Sequence, residues 1–168
     1  MTITYNLIQT ITVGSGGAST ITFSSIPQTY TDLEFVVSGR ATTDNPTLQV
    51  FINNDQTSAN YSFKLAEGNG SAASGAAASQ PWLMRITPSS ASASQFSNGK
   101  MYIPRYTGSV YKTIITDSVT ENNGTTAYTA LHVGVWLSNT AITSIVLDPY
   151  GTNFAEFSSA SLYGILNT

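Results

Sequence analysis

The chain has 168 residues, of which 9% are charged, 41% are hydrophobic and none is cysteine, and its formal net charge is −3. The lack of cysteine excludes a disulfide scaffold, a thiol nucleophile and a thiolate zinc site, and a single histidine, His132, excludes a multi-histidine metal centre. Six scattered basic residues cannot form the positive stripe that nucleic acids require, and no apolar run approaches the roughly 20 residues that cross a bilayer, so neither partner is expected.

Alternation of hydrophobic and polar residues predicts a chain made almost wholly of β-strands. β-branched and aromatic residues carry this period of two, and Gly, Asn and Pro interrupt it about every ten residues. The predicted strands are, in chain order, residues 2–13, 20–23, 33–37, 48–52, 61–65, 82–86, 95–103, 111–119, 127–137, 142–147 and 160–166. The sequence Gly-Ser-Gly-Gly at 14–17 is expected to join the first two strands as a hairpin.

The Gly, Ala and Ser residues of 67–80 show no periodicity and predict the longest loop of the chain. The segments on either side of this loop are too short to fold alone, so we expect one domain over residues 1–168. A set of about ten short strands with turn signals between them favours an all-β, antiparallel two-sheet sandwich that resembles a jelly roll, rather than a closed barrel.

One predicted strand, residues 127–137, carries large apolar side chains on both of its faces. Leu131 and Val133 point one way, whereas His132 and Trp136 point the other way. This pattern predicts a central strand that is covered on both faces.

The sequence contains no catalytic constellation, and we expect that the chain is not an enzyme. His132 has no G-x-S-x-G nucleophile elbow to serve, and a lone histidine on a strand is usually structural. The acidic residues at strand ends and turns have a simpler role, because such side chains bond their own backbone in turns. These residues are Asp32, Asp44, Asp55, Asp117 and Asp148. No phosphate-binding glycine motif and no calcium-loop pattern occurs, so we expect neither a cofactor nor a metal.

The aromatic residues, nine Tyr, seven Phe and two Trp, are the remaining candidates for a functional surface. Tyr and Trp near Arg, presented among Ser, Gly and Asn, are favoured in contact surfaces because they combine a rigid area with a polar tip. The same aromatic residues can equally fill the core of the sandwich. We predict a partner-binding site at the loop between two strands that holds Arg105 and Tyr106, together with Tyr111 and Trp82.

Five motifs occur in a fixed order along the chain. They are T-V-G-x-G-G at 12–17, S-I-P-x-T-Y-T-D-L at 25–33, Y-I-P-x-Y at 102–106, D-S-V-T-E-N-N at 117–123 and S-L-Y-G-I at 161–165. Together they resemble a family of small virion proteins from tailed bacteriophages. The resemblance implies a β-sandwich that either decorates and cements the capsid or belongs to a tail fibre or similar appendage. It carries over no catalytic residue.

The first predicted strand begins within a few residues of Met1, without the anchoring segment or stalk expected of a tail fibre. This favours a capsid decoration or cement protein on the outer surface of the phage particle. We expect a homotrimer that binds the major capsid protein or another virion protein and stabilises the assembled shell by mass action. The alternative is a tail appendage that binds a host receptor or carbohydrate, with the same aromatic residues as stacking platforms.

Overall fold

The computed structural model describes residues 3–45, 47–121 and 127–167, and the side chain of Trp82 lies outside the described part. The strands are β1 (Ile3–Thr12), β2 (Ile21–Phe23), β3 (Asp32–Ser38), β4 (Thr47–Ile52), β5 (Tyr61–Gly68), β6 (Ala73–Ala78), β7 (Trp82–Arg85), β8 (Asn98–Pro104), β9 (Lys112–Val119), β10 (Thr129–Trp136), β11 (Ile145–Pro149) and β12 (Ser159–Asn167). A 3₁₀ turn, Ser58–Asn60, precedes β5, and the described residues contain no α-helix.

The order of the strands in the two sheets is that of a jelly roll. The large sheet begins with β1-β12-β3-β8, and the small sheet is β2-β11-β4-β7. These eight strands pair antiparallel from the outside of the sequence inwards: β1 with β12, β2 with β11, β3 with β8 and β4 with β7. Two Greek keys produce this arrangement. The prediction of an antiparallel two-sheet sandwich of jelly-roll type is confirmed, and the described residues form twelve strands in place of about ten.

Four further strands, β9, β10, β5 and β6, continue the large sheet beyond β8. We call these four strands the extension. Most of residues 67–80 belong to it, so the prediction of a long loop is wrong. The side-chain oxygen of Asn69 accepts hydrogen bonds from the backbone N–H groups of Ser71 and Ala72, which closes a tight turn, and β6 then pairs with β5 along its length. Backbone hydrogen bonds to β5 hold β6 in the sheet. Its Ala, Ser and Gly side chains are too small to give a periodic hydrophobic pattern in the sequence.

The main hydrophobic core lies between the small sheet and the jelly-roll strands of the large sheet. Leu33, Phe35 and Val37 of β3 are fully buried, in the alternating pattern that a half-buried strand requires. The ring of Phe35 packs edge to face against that of Phe23 on β2, with 5.4 Å between the ring centroids. Side chains from both sheets therefore interdigitate here to form the core.

The predicted opening hairpin is wrong, because β1 and β2 lie in different sheets. Residues 14–17 instead carry the chain from one sheet to the other. Gly16 and Gly17 have φ values of 94° and 78°, and a Cβ on Gly17 would collide with the carbonyl oxygen of Phe154. A hairpin turn and this crossover both need glycine at positive φ, so the sequence does not distinguish between them.

Two of the five sequence motifs meet in the fold. The ring of Tyr30 lies directly against the backbone of Gly164 on β12, where any Cβ would collide with the ring. The glycine of the last motif is therefore required by the tyrosine of the second motif. These two motif residues therefore have a structural role.

Candidate partner-binding surface

The outer face of the extension exposes aliphatic side chains. Leu131 and Val133 on β10 are 47% and 41% exposed, whereas His132 and Trp136 point inward and are buried. β10 is paired with β9 on one side and β5 on the other, but among the described residues no strand packs on its outer face. The prediction that this strand is covered on both faces is therefore wrong.

β9 contributes two more aliphatic side chains to the same face. Ile115 and Val119 are 44% and 41% exposed, and Ile115 stands opposite Val133 in the pairing of β9 with β10. We call Ile115, Val119, Leu131 and Val133 the outer patch. Full burial of one such side chain against a partner stabilises by about 1.5–3 kcal/mol, and clustered exposed apolar side chains mark interaction sites.

Charged groups border the outer patch on the side of β8 and β3. The ammonium group of Lys100 lies 3.2 Å from the carboxylate of Glu34, and the backbone N–H of Lys100 donates to the carboxylate of Asp117 at 3.2 Å. Together with Tyr102, Ile115 and Leu131 they line a shallow groove of about 250 Å³. The Asp117 carboxylate stands within the outer patch, opposite Leu131, so a partner would meet aliphatic side chains interrupted by one acidic group, with the Lys100–Glu34 pair at the border.

Tyr102 is held rigidly at the end of this groove by Asp32. The buried carboxylate of Asp32 accepts hydrogen bonds from the Tyr102 hydroxyl at 2.8 Å, the Arg105 backbone N–H at 2.8 Å and the Asn167 side-chain amide at 3.0 Å. Burial, and then the hydrogen bond and charge of Asp32, raise the pKa of Tyr102 to about 12. The phenol is therefore a neutral donor at neutral pH, and Asp32 links it to the loop after β8 and to the end of β12.

The predicted contact loop follows β8 directly. Arg105 is exposed, but Tyr106 is fully buried and its hydroxyl donates to the backbone carbonyl of Pro27. The prediction that Tyr106 presents its ring to a partner is wrong, because the ring packs in the core. Tyr106 fits the alternative interpretation, in which the aromatic residues fill the core of the sandwich.

Tyr111 ends the same loop and is 60% exposed. The buried Lys112 anchors it: its ammonium group donates to the carbonyl oxygens of Gly108 and Val110 at 2.7 and 2.6 Å, and burial lowers the pKa of Lys112. Tyr111 stands one residue before β9 and four before Ile115, so the alternation of the strand places both on the outer side. Tyr111 thus continues the outer patch towards the loop.

Trp82 is not brought together with these residues. It begins β7, which belongs to the small sheet and contacts the inner side of β9 and β10. Its backbone therefore lies behind the large sheet, and its side chain lies outside the described residues. The partner-binding roles of Arg105, Tyr111 and Trp82 stay predictions.

A second apolar strip lies at the opposite edge of the large sheet. Ile3, Tyr5 and Leu7 of β1 are 60%, 54% and 57% exposed. A β-bulge between Leu7 and Gln9 shifts the register, after which Ile11 packs against the core. The change of phase between the hydrophobic residues at 3, 5, 7 and those at 8 and 11 was the available sequence signal for this strip.

Three comparisons with known proteins, against models of protein families, curated proteins and solved structures, each returned no match. Within the described ranges, no helix has the length and hydropathy needed to cross a membrane. The same ranges contain no group of three or more His, Asp or Glu side chains placed to hold a metal ion.

Proposed function

We propose that this chain is a structural protein of a tailed-bacteriophage virion, which decorates the capsid and binds the major capsid protein through the outer patch. The observation that carries the proposal is the outer patch itself, with four aliphatic side chains 41–47% exposed on strands that are paired on both sides. The five sequence motifs supply the link to virion proteins. The jelly roll supports it, because this architecture recurs in viral capsid and lectin domains, although a fold alone does not define a function.

A decoration protein of this kind acts by binding linkage. A protein that binds the assembled shell but not the separate capsomers stabilises the shell by about 2.7 kcal/mol per site when its free concentration is a hundred times its Kd. Many modest interfaces of about 800 Å² per partner can therefore reinforce a shell without any catalytic group. The proposed assembly on the shell is a homotrimer, for which the exposed strip of Ile3, Tyr5 and Leu7 offers a surface for contacts between copies.

The location is tested by labelling intact virions of the encoding phage with a gold-conjugated antibody against this chain. Electron microscopy then records where the gold lies relative to the head and the tail. Gold distributed over the head is the expected result. Gold confined to the tail tip or fibres would contradict capsid decoration and favour the appendage that binds a receptor or carbohydrate.

A further inference from the structure

A shallow basin of about 630 Å³ lies at one end of the sandwich, on the side of the small sheet. Three segments that cross from one sheet to the other meet there, between β1 and β2, between β3 and β4, and between β11 and β12. Serine and threonine hydroxyls from all three segments line the basin, together with the Asn153 side-chain amide and the Asp148 carboxylate. The lining is therefore dominated by groups that form hydrogen bonds.

The three segments are held together by hydrogen bonds. Ala18 and Phe154 exchange both of their backbone hydrogen bonds, at 3.1 and 2.8 Å, and the backbone N–H of Thr42 donates to the carbonyl of Asn153 at 2.9 Å. The hydroxyls of Thr42 and Thr152 bond each other at 3.0 Å. Phe154 is fully buried and anchors its segment in the core. The basin is preformed, so a ligand would lose little free energy in ordering the protein.

Among the described residues that line the basin, Asp148 alone carries a charge. On β11 it alternates with the buried Leu147 and Pro149, so its side chain points away from the core. The pairing of Leu147 with Ile21 places Thr20 beside it. Asp148 is half-buried, and burial, with no hydrogen bond or nearby charge to oppose it, raises the pKa of its carboxyl group.

The other acidic residues at turns and strand ends have partners within the chain. Asp32, Asp44, Asp55 and Asp117 each accept a hydrogen bond from a backbone N–H group. The carboxylate of Asp148 has lost part of its hydration without such a replacement, which disfavours the folded state. Its acceptor oxygens stay available to a molecule in the basin.

We propose that the basin binds a neutral sugar of one or two hexose units, in which two neighbouring hydroxyl groups donate to the Asp148 carboxylate. The two carboxylate oxygens can accept from both hydroxyls of such a pair. The Asn153 amide and the threonine hydroxyls both donate and accept, as the remaining sugar hydroxyls do. The volume of the basin lies within the range of about 300–1,000 Å³ that is usual for ligand pockets.

Other classes of ligand use this lining less well. A calcium ion takes six to eight oxygen ligands, usually with several carboxylates, and the described residues hold no group of three or more acidic or histidine side chains placed for a metal. An anion would meet the charge of Asp148 and no basic residue of the described lining. An apolar molecule would remove water from the hydroxyl groups without replacing its hydrogen bonds.

The basin and the outer patch lie on opposite faces of the sandwich. Asp148 points to solvent from the small sheet, whereas the outer patch is exposed on the large sheet. A chain that binds a capsid through the outer patch would leave the basin open to solvent. Sugar binding is measured on the isolated chain, so its failure would leave the proposed capsid contact untouched.

The test adds methyl α-D-glucopyranoside, methyl α-D-galactopyranoside and methyl α-D-mannopyranoside, one at a time, to the ¹⁵N-labelled chain. Backbone amide signals are followed by NMR. We expect saturable binding of at least one of the three in the millimolar range, with the largest shifts at Gly151, Thr152 and Asn153, which line the basin. Absence of saturable binding by all three glycosides would overturn the proposal.

Two matched variants locate the binding. Asp148→Asn replaces one acceptor oxygen by an amide nitrogen that cannot accept, and should weaken binding by about tenfold or more. Its thermal midpoint of unfolding should stay the same or rise, because the carboxylate has no partner in the described chain to lose. Asp117→Asn makes the same change beside the groove of the large sheet and should leave binding unchanged.

Three results with these variants would contradict the proposal. Equal binding by Asp148→Asn would show that the carboxylate does not hold the sugar. A clear fall in the thermal midpoint of Asp148→Asn would assign the residue a structural role. Loss of binding in Asp117→Asn, but not in Asp148→Asn, would place the sugar in the groove on the large sheet.

Discussion

The inner face of the extension is more polar, and its outer face more apolar, than the same faces of the jelly-roll strands. On β3, the inward-facing Leu33, Phe35 and Val37 are apolar, and the outward face combines Glu34 and Ser38 with Val36. On β9 and β10 of the extension, Thr116, Ser118 and His132 face inward beside the apolar Ile114 and Trp136, whereas the outer patch is aliphatic. We therefore expect the jelly roll to contribute most of the stability, and the outer patch of the extension to be the surface for the proposed partner.

The physical origin of this difference is the width of the small sheet. Its edge strand β7 packs on the inner face of β9 and β10, and no further strand of the small sheet lies beyond β7 to cover the rest of the extension. An edge strand presents backbone groups that need hydrogen bonds, and Thr116 and Ser118 provide them. The hydrophobic residues of β9 and β10 then stand mostly on the other face, where no other described strand covers them.

The largest expected effect contrasts one core residue with one residue of the outer patch. Phe35→Ala should lower the free energy of unfolding by about 3–5 kcal/mol, because it leaves a cavity beside Phe23. Leu131→Ala should lower it by less than about 1 kcal/mol, because that side chain is already half-exposed. Denaturant unfolding of both variants measures the difference. Equal losses would mean that the extension contributes to stability as the jelly roll does.

A second prediction concerns the inner face of the extension. Thr116→Val keeps the shape of the side chain but leaves the carbonyl of Leu83 unpaired, so the free energy of unfolding should fall by about 1–3 kcal/mol. Thr113→Val makes the same change on the exposed outer face of the same strand and should have almost no effect. If the two valine variants are equally stable, the hydroxyls do not support the edge of β7.

The pH dependence of stability reports on His132. Its pKa is about 4 in the folded chain and about 6.5 when unfolded, so between these values the unfolded chain binds a proton that the folded chain does not. The free energy of unfolding should therefore fall by about 2 kcal/mol from pH 7 to pH 5. His132→Leu should remove most of this slope, since the chain has no other histidine. If the pH dependence persists in the variant, it arises from carboxylates and not from His132.

The smallest expected effect on stability is at the loop after β8. Tyr111→Ser should change the free energy of unfolding by less than about 0.5 kcal/mol, yet weaken capsid binding severalfold, because the exposed ring continues the outer patch. Tyr106→Ala in the same loop should instead destabilise by about 3–5 kcal/mol, as expected for a buried ring. Binding that is unaffected by Tyr111→Ser would remove this loop from the interface.

The strands themselves could be predicted from the sequence because their side chains alternate, as β3 and β9 show most clearly. Their partners could not, since pairing of β1 with β12 depends on residues that are far apart in sequence. β6 could not be predicted, because its small alanine and glycine side chains do not distinguish a buried face from an exposed one. Local pattern therefore indicates the class of fold, and the assembly of the sheets decides its layout.

The candidate surface was predicted less well than the fold. Aromatic composition pointed to Tyr106, which is buried, whereas the outer patch consists of aliphatic residues. Apolar residues on both faces of residues 127–137 were the relevant signal, but this pattern fits both a doubly covered strand and a strand that keeps one face for a partner. Only the number of strands in the second sheet distinguishes these cases, and that number is a property of the whole chain.

Binding of the purified chain to capsids that lack it, measured by sedimentation and quantification of the bound copies, tests the outer patch directly. We compare the unmodified chain with Leu131→Lys, in which lysine is chosen because Asp117 stands opposite Leu131 and would repel an acid. Tyr150→Ser, which changes an exposed aromatic residue next to β11 of the small sheet, is the control. We expect Leu131→Lys to weaken binding by about tenfold or more while the control binds normally. Normal binding by Leu131→Lys would contradict the assignment of the outer patch as the capsid contact.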